Sequence, residues 1–230
     1  MMQALGKVDI AVIIPALDEE ESIGLVVRDI PKELVSQVVV VNNGSVDDTG
    51  IIARMNSAVM IDEPEQGYGR ACKAGIKYLE NAPPSIVVFL DGDYSDYPGE
   101  LSHLIQPIIE ERADLVLGSR LRFQNSLSFH VAAANKFFSK LINLLYGVSL
   151  TDLGPFRAIK WDLLQRLDMT SDTYGWSCEM IVKAAKTKAR IEEFPVRYRK
   201  RIGRSKISGS FRGSLKAFTH ILYNILRYCT

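Results

Sequence analysis

The run IVVFLDGDYSDYP, Ile86 to Pro98, carries an unbroken apolar stretch straight into Asp91, Gly92 and Asp93, with a third carboxylate at Asp96 close behind. Two carboxylates at i and i+2, with a glycine between them that allows a tight bend, can set oxygens on one hard divalent cation, and that cation can bridge a diphosphate. A strand end would deliver both groups rigidly. A second concentration of chemistry is cationic. From Lys183 to Lys216 there are 12 basic residues against Glu192 and Glu193, a local net charge of +10, while the rest of the chain holds 16 basic and 25 acidic residues, a net of −9. Such asymmetry directs the carboxyl-terminal part towards an anion, whether phosphate, a lipid surface or nucleic acid.

Carboxylates this close also occur in phosphatases of the haloacid dehalogenase type, where the first Asp is a nucleophile on the first strand, followed two positions on by Thr or Val. Here the pair ends a fourth apolar run and is followed by Tyr94 and Ser95. The elements that must position it are short β-rich runs alternating with helical patterns. DIAVIIPA, SQVVVVN, SAVMIDE, SIVVFLD and ADLVLGS read as strands one to five. EEESIGLVVRDI places Ile23, Val26, Val27 and Ile30 on one helical face, SVDDTGIIARM follows with Ser45 or Asp47 as its cap, and GRACKAGIKYLEN is a third helix. Runs so uniformly apolar, separated by helices, imply an α/β, Rossmann-like parallel sheet covered on both faces. Ligands bind such sheets beyond the carboxyl ends of the strands. That edge collects Asp18 and Glu19, Asn42 and Asn43, Glu63, Asp91 and Asp93, and Arg120. Asp, Asn and Gly are common turn formers and caps taken singly, but five coincident loops argue for a site.

The ordered motifs VIIPALDEEESI, VVVVNNGSVDDT, GYGRACKAGI, VVFLDGDYSDYP, ADLVLGSR, DLGPFRAI and YRKRIGRSK, from about Val8 to Lys206, resemble those of the GT-A glycosyltransferases of family 2, and within these the dolichyl-phosphate mannose and glucose synthase branch. The resemblance implies a mostly parallel sheet with helices on both faces and inverting transfer of a sugar from a nucleotide donor, with Mg2+ or Mn2+ at the DxD. It places Pro15, Ala16 and Glu19 along the nucleotide, Asn43 near the base, and Gly67 and Gly69 in a turn beside the donor. Arg70 becomes a diphosphate contact, Asp91 and Gly92 approach the donor, and Asp91 and Asp93 hold the metal. Asn43 departs from the usual Asp-Asp-Gly-Ser text. An amide there offers a donor and an acceptor to a uracil imide edge, which favours UDP over GDP.

The acceptor side follows from charge. A hydroxyl acceptor needs a general base, for which Asp152 and Glu179 are the remaining candidates, each read rather as a structural anchor of the DLGPFR loop or the YGWSCEM helix. A phosphomonoester is largely a dianion at neutral pH and needs cations instead; Arg120, Arg199, Arg201, Arg204 and Lys206 are candidates, and the resemblance favours Arg120 and Lys206. Residues 1–206 are read as the GT-A domain and 207–230 as an amphipathic helix, with Ile207, Phe211, Leu215, Phe218, Leu222, Ile225 and Leu226 opposite Arg212, Lys216 and Arg227, packed on the domain or on a membrane surface. FHVAAANKFFSKLINLLYGV behaves similarly around Phe137, Leu141 and Leu144. No run approaches a membrane span, the amino terminus is a poor signal peptide, and Cys72, Cys178 and Cys229 suggest neither disulfides nor zinc. The reading is a metal-dependent hexosyltransferase loading a polyprenyl phosphate, cytoplasmic and peripheral at the inner face of the membrane, alone or with a membrane-protein partner. Transfer to a sugar or glycolipid hydroxyl, and a non-catalytic sugar-nucleotide-binding scaffold, are the rivals. A nucleic-acid partner is not expected, since no such motif or stacking platform is recognised; a homo-oligomer is left open.

Overall fold

The computed structural model describes residues 8–120, 129–203 and 211–228. In chain order the elements are β1 (Ile10–Ala16), α1 (Ile23–Asp29), β2 (Gln37–Asn42), α2 (Thr49–Met55), β3 (Val59–Asp62), α3 (Tyr68–Leu79), β4 (Ile86–Phe89), α4 (Leu101–Ile109), β5 (Leu115–Ser119), α5 (Phe129–Tyr146), β6 (Arg157–Lys160), α6 (Trp161–Leu167), α7 (Trp176–Lys186), β7 (Ile191–Pro195) and α8 (Phe211–Arg227). One seven-stranded sheet runs β3-β2-β1-β4-β6-β5-β7. All pairings are parallel except those of β6, which lies antiparallel between β4 and β5, with Phe89 opposite Arg157 and Leu117 opposite the same residue.

The five apolar runs form strands because both their faces are covered. Ala11, Ile13, Val39, Val41, Val87, Phe89, Leu115 and Leu117 point into one core layer, under α3, α5, α6, α7 and α8. Ile10, Val12, Ile14, Val40, Ile86, Val88 and Val116 point into the other, under α1, α2 and α4. Two strands escape the apolar-run criterion. β6 is only RAIK, with a fully buried arginine in it, and β7 is IEEFP, an edge strand whose Glu192 pairs with Arg112 at 2.8 Å. Charged side chains on an edge strand also oppose pairing with other chains.

Part of the charge imbalance of the sequence is met by ion pairs within the fold. Arg190 pairs with Asp114, Arg197 with Glu100, Lys183 with Glu179, and Arg201 with Glu19 and Asp93. Segments of opposite net charge are thus folded against each other.

Two contacts shape the ligand edge. The amino end of α3 presses on the loop before α7, where Arg70 N–H donates to the Asp172 carbonyl at 3.2 Å and a Cβ on Gly69 would sit deep inside van der Waals contact with the Ser171 carbonyl oxygen. The far side of that loop is held by α8. Gly175 leaves room for the Asn224 amide, Thr173 Oγ1 lies 2.5 Å from His220 Nδ1, and Phe218 packs on Phe138 with ring centroids 4.7 Å apart. Gly69→Ala should therefore cost about 1–3 kcal/mol through overpacking, while Gly99→Ala, with nothing within 4 Å of the added methyl, should leave stability near wild type. Chemical denaturation of the two variants checks this; equal midpoints would show that the loop yields.

Candidate active site

β1 lies at the point where the strand order turns, with β2 on one side and β4 on the other, so the loops after β1 and β4 part and leave a crevice at their carboxyl ends. A cleft of about 380 Å3 opens there. Pro15, Ala16, Leu17 and Glu19 enter it from the end of β1, Asn43 from the end of β2, and Gln66, Gly67 and Tyr68 from the start of α3. Asp91, Gly92 and Asp93 form its floor after β4, and Thr173, Tyr174 and Arg201 complete the wall. The backbone bends sharply beside the carboxylates, with Asp18 at φ 49° and Tyr94 at φ 60°. Left-handed non-glycine residues of this kind carry strain that the surroundings must hold.

Asp91 is half-buried and accepts a hydrogen bond from Tyr68 Oη at 3.1 Å. Burial, and next the charge of Asp93, push its carboxyl up to about 6. Asp93 Oδ1 accepts the Ser95 N–H at 2.9 Å, and its Oδ2 lies 3.2 Å from Arg201 Nη2. The same Nη2 is 3.1 Å from Glu19 Oε1, whose partner oxygen Oε2 accepts from Ser22 Oγ at 3.1 Å. Among the described residues no group of three or more His, Cys, Asp or Glu is arranged to hold a metal alone. Asp91 and Asp93 nevertheless fit a hard cation whose shell is completed by substrate phosphates and water, and the Arg201 guanidinium against Asp93 and Glu19 demonstrates that positive charge is accommodated there.

Beyond the cleft stands a second charged unit. Arg120 donates its backbone N–H and Nε to Asp152 Oδ2 and its Nη2 to Oδ1, all at 2.8 Å. Asp152 Oδ1 also accepts from Asn135 Nδ2 at 2.6 Å and from the Leu153 N–H at 2.7 Å. Burial alone would raise the Asp152 carboxyl, but the hydrogen bonds and charge of Arg120 outweigh it and hold it below its usual range. The guanidinium lies over the Tyr198 ring at 5.1 Å.

Comparison with known proteins bears directly on this arrangement. The profile of glycosyl transferase family 2 matches residues 11–168. The chain belongs to that family. An uncharacterized glycosyltransferase of Mycobacterium tuberculosis is 34% identical over 90% of this chain and 94% of its own length. A dolichyl-phosphate hexose transferase of Haloferax volcanii is 32% identical over 86% of each chain. An undecaprenyl-phosphate mannosyltransferase of Micrococcus luteus is 32% identical over 87% of this chain and 88% of its own. Among solved structures, glucosyl-3-phosphoglycerate synthase from Mycobacterium tuberculosis, in complex with Mn2+, UDP-glucose and phosphoglyceric acid, superposes with a TM-score of 0.77 over 96% of this chain and 79% of that one, at 22% identity. The fold is GT-A, and the protein is a family 2 glycosyltransferase, similar in sequence to transferases named for polyprenyl-phosphate acceptors.

Against that family pattern, several expected site residues have other work in this glycosyltransferase. Asn43 borders the cleft, but its Oδ1 accepts the Gly67 N–H at 2.7 Å and its Nδ2 donates to the carbonyls of Glu63 and Glu65 at 3.1 and 2.8 Å. An amide so engaged fastens the cleft wall and has no hydrogen left to donate to a base, which removes half of the donor–acceptor ground for preferring UDP. Gly69 and Arg70 are not among the lining residues; Gly69 permits the close approach to Ser171, and Arg70 pairs with Glu65 at 2.6 Å and Asp172 at 3.2 Å. Arg201, expected at the acceptor, stands between Asp93 and Glu19. Arg120 and Asp152 lie beside the cleft and outside its lining, and Lys206 and Arg204 fall outside the described residues.

As general bases, Asp152 and Glu179 are ill suited. Both oxygens of Asp152 are engaged as described. Glu179, fully buried on α7, accepts from Thr170 N–H and Oγ1 at 3.0 and 2.7 Å, Ser171 N–H at 2.7 Å, Tyr228 Oη at 2.7 Å and Lys183 Nζ at 2.8 Å. It anchors the loop that carries Thr173 and Tyr174. Those two, Tyr68 and Gln66 are cleft residues that sequence reasoning did not single out; Tyr68 was visible only as the middle of the GYG turn. Asp96 was visible as the third carboxylate of DGDYSD. It is buried with neither oxygen partnered among the described residues, and burial pushes its carboxyl well above its usual range.

Burial by itself would raise the Glu179 carboxyl, but the bonds from Lys183, Thr170, Ser171 and Tyr228 prevail and bring it down from 4.5 to about 2. A folded-state value below the unfolded one contributes stability that is complete above about pH 4.5 and is lost as pH falls towards 2. Glu179→Gln should lower stability at pH 7 and flatten its loss between pH 4.5 and 3, read from denaturation midpoints. An unchanged acid slope would show that Glu179 does not carry it.

Proposed function

We propose that this glycosyltransferase moves a hexose from a UDP- or GDP-sugar to a polyprenyl phosphate, with inversion at the anomeric carbon and with Mn2+ or Mg2+ between Asp91, Asp93 and the donor diphosphate. The observation that carries the acceptor is the Arg120–Asp152 unit. It offers a fixed, nearly buried cation next to the cleft, and the carboxylate that could have served as base is saturated in holding it. A phosphate dianion needs such a cation and no base, whereas a hydroxyl acceptor needs the reverse. The names of the Haloferax and Micrococcus relatives, with their dolichyl- and undecaprenyl-phosphate acceptors, support the same reading. So does the Mn2+ and UDP-glucose bound by the mycobacterial neighbour, for the donor and the metal.

In this reading the loop of Pro15 to Leu17, the wall of Gln66 to Tyr68 and the pair Thr173–Tyr174 enclose the nucleotide and exclude water, and Tyr68 orients Asp91. A divalent cation bound there would stabilise charge on the departing diphosphate. Arg120, kept in place by Asp152, positions the acceptor phosphate for attack on the anomeric carbon from the face opposite the leaving group. Lys206 remains the second acceptor cation suggested by the sequence.

The polyprenyl chain needs an apolar surface. None of the described helices is long and apolar enough to cross a membrane. Phe137, Leu144 and Leu145 on α5 and Tyr223 and Leu226 on α8 are exposed, while Phe218 and Ile225 of α8 face the core. We infer peripheral docking of these two helices on the cytoplasmic face of a membrane, where Lys136, Lys140 and Arg227 would meet anionic lipid.

Asp93→Asn removes a charged ligand and should reduce turnover more than tenfold with Mg2+ or Mn2+ while leaving the melting temperature within a few degrees of wild type. The reading as a whole is tested by supplying polyprenyl phosphate with labelled UDP- and GDP-sugars and recovering an organic-extractable, mild-acid-labile product. Robust transfer to a hydroxyl acceptor and none to the lipid phosphate would overturn it. For the membrane, Leu144→Asp combined with Leu226→Asp should lower co-sedimentation with anionic liposomes, and raised salt should weaken what remains, since exposed charges are screened over about 8–10 Å; undiminished binding would place the contact elsewhere.

A further inference from the structure

The segment after β7 lies along the loop that carries the DxD. Asp96 and Tyr198 form an antiparallel bridge, Arg199 N–H donates to the Ser95 carbonyl at 2.9 Å, and Ile202 N–H donates to the Asp93 carbonyl at 3.0 Å. Two arginines of this segment behave differently. Arg199 is fully committed: its guanidinium lies over the rings of Tyr94 and Tyr97, 3.3 and 4.2 Å from their centroids, and it donates to the carbonyls of Tyr94 and Asp96 at 2.6 and 3.1 Å. Arg201 is held by less. Among the described residues its carboxylate contacts are made through Nη2, one nitrogen divided between Glu19 and Asp93, and its Nε–H is buried with no acceptor.

We propose that Arg201 is the resident counter-ion of the donor site. It neutralises Asp93 and Glu19 before the donor arrives, and it competes with the metal for them. This rests on the reading above that Asp91 and Asp93 hold a divalent cation. The geometry supports displacement on three grounds. The ion pair is not the bidentate fork in which arginine and carboxylate bind most strongly. The orphaned Nε–H leaves the guanidinium incompletely satisfied, so an incoming diphosphate oxygen offers it a partner that the described protein groups do not. The backbone of residues 198–202 is fixed by the ladder to residues 93–96, so only the side chain must move. Metal alone must therefore displace a tethered cation without compensation, whereas metal with a nucleoside diphosphate supplies the oxygens that re-partner it. Cation and nucleotide are made to enter together, and uncomplexed metal is discouraged.

The test is Mn2+ binding followed by electron paramagnetic resonance, with and without UDP and GDP, on wild type, Arg201→Gln, Arg201→Lys and Asp93→Asn. Arg201→Gln should bind Mn2+ alone at least fivefold more tightly than wild type, because the carboxylates lose their resident cation. Arg201→Lys, which keeps the charge, should stay within about twofold of wild type, a rescue that a merely structural role would not produce by charge. With nucleotide present the advantage of the Gln variant should vanish or reverse. Equal Mn2+ affinity of wild type and Arg201→Gln in the absence of nucleotide, with Asp93-dependent Mn2+–nucleotide binding intact, would overturn the counter-ion role and leave the metal reading standing. Mn2+ binding indifferent to Asp93→Asn in every background would overturn both. If the Gln variant does not fold, Arg201→Met, which also removes the charge, carries the comparison; Mn2+ alone bound no more tightly by it than by wild type would overturn the proposal.

Discussion

The structure turns on one electrostatic problem, the presence of Asp91 and Asp93 at the end of a strand buried on both faces, with Glu19 across the cleft. Taking a carboxylate out of water costs several kcal/mol even after relaxation, and two of them side by side oppose each other's ionisation. The surroundings answer group by group. Tyr68 donates to Asp91, the Ser95 N–H to Asp93, Ser22 to Glu19, and Arg201 to both Asp93 and Glu19. Hydrogen bonds to charged groups are worth about 1.5–3 kcal/mol each, so the set offsets a large part of the desolvation and leaves Asp91 poised near 6.

The same requirement explains why the carboxyl-terminal third of the chain folds back over the sheet. The residues that compensate the carboxylates, or wall the cleft, come from the loop before α7 and the segment after β7. That loop is in turn clamped between α3, which Gly69 allows to approach, and α8, through His220, Asn224 and Tyr228. α8 is consequently tied to the cleft wall as well as to the outer surface. Its exposed Tyr223 and Leu226 share a helix with residues that hold Thr173 and Glu179, so whatever meets the outside of α8 meets an element that bears on the site.

Arginine illustrates how similar residues acquire different roles from local geometry. Arg157, wholly buried on β6, is satisfied by backbone carbonyls, with Nη1 on Ser177 at 2.8 Å and Nη2 on Gly154 at 2.5 Å. Arg120 is clamped by a saturated carboxylate and keeps its charge beside the cleft. Arg199 packs between tyrosine rings, and Arg201 bridges carboxylates through a single nitrogen. The first is scaffold, the second a fixed cation, the third a strut and the last the exchangeable one.

What the sequence determined by itself was whatever depends on near neighbours along the chain. Uniform apolar runs marked β1 to β5 because strands buried on both faces have no polar side, and the DGD after the fourth run marked the site because strand ends in such sheets converge. The placement of β6 was not legible, since four residues with an arginine among them form a strand only when β4 and β5 are already there to pair with. Nor were the roles of Asn43, Arg70 and Arg201, whereas an anchoring role for Glu179 was. An amide, a guanidinium or a carboxylate is defined by the group within about 3 Å of it, and for Arg201 that group is Glu19, 182 residues away. Residue type supplied the chemistry that was available; only the meeting of distant loops decided which atoms were left to perform it.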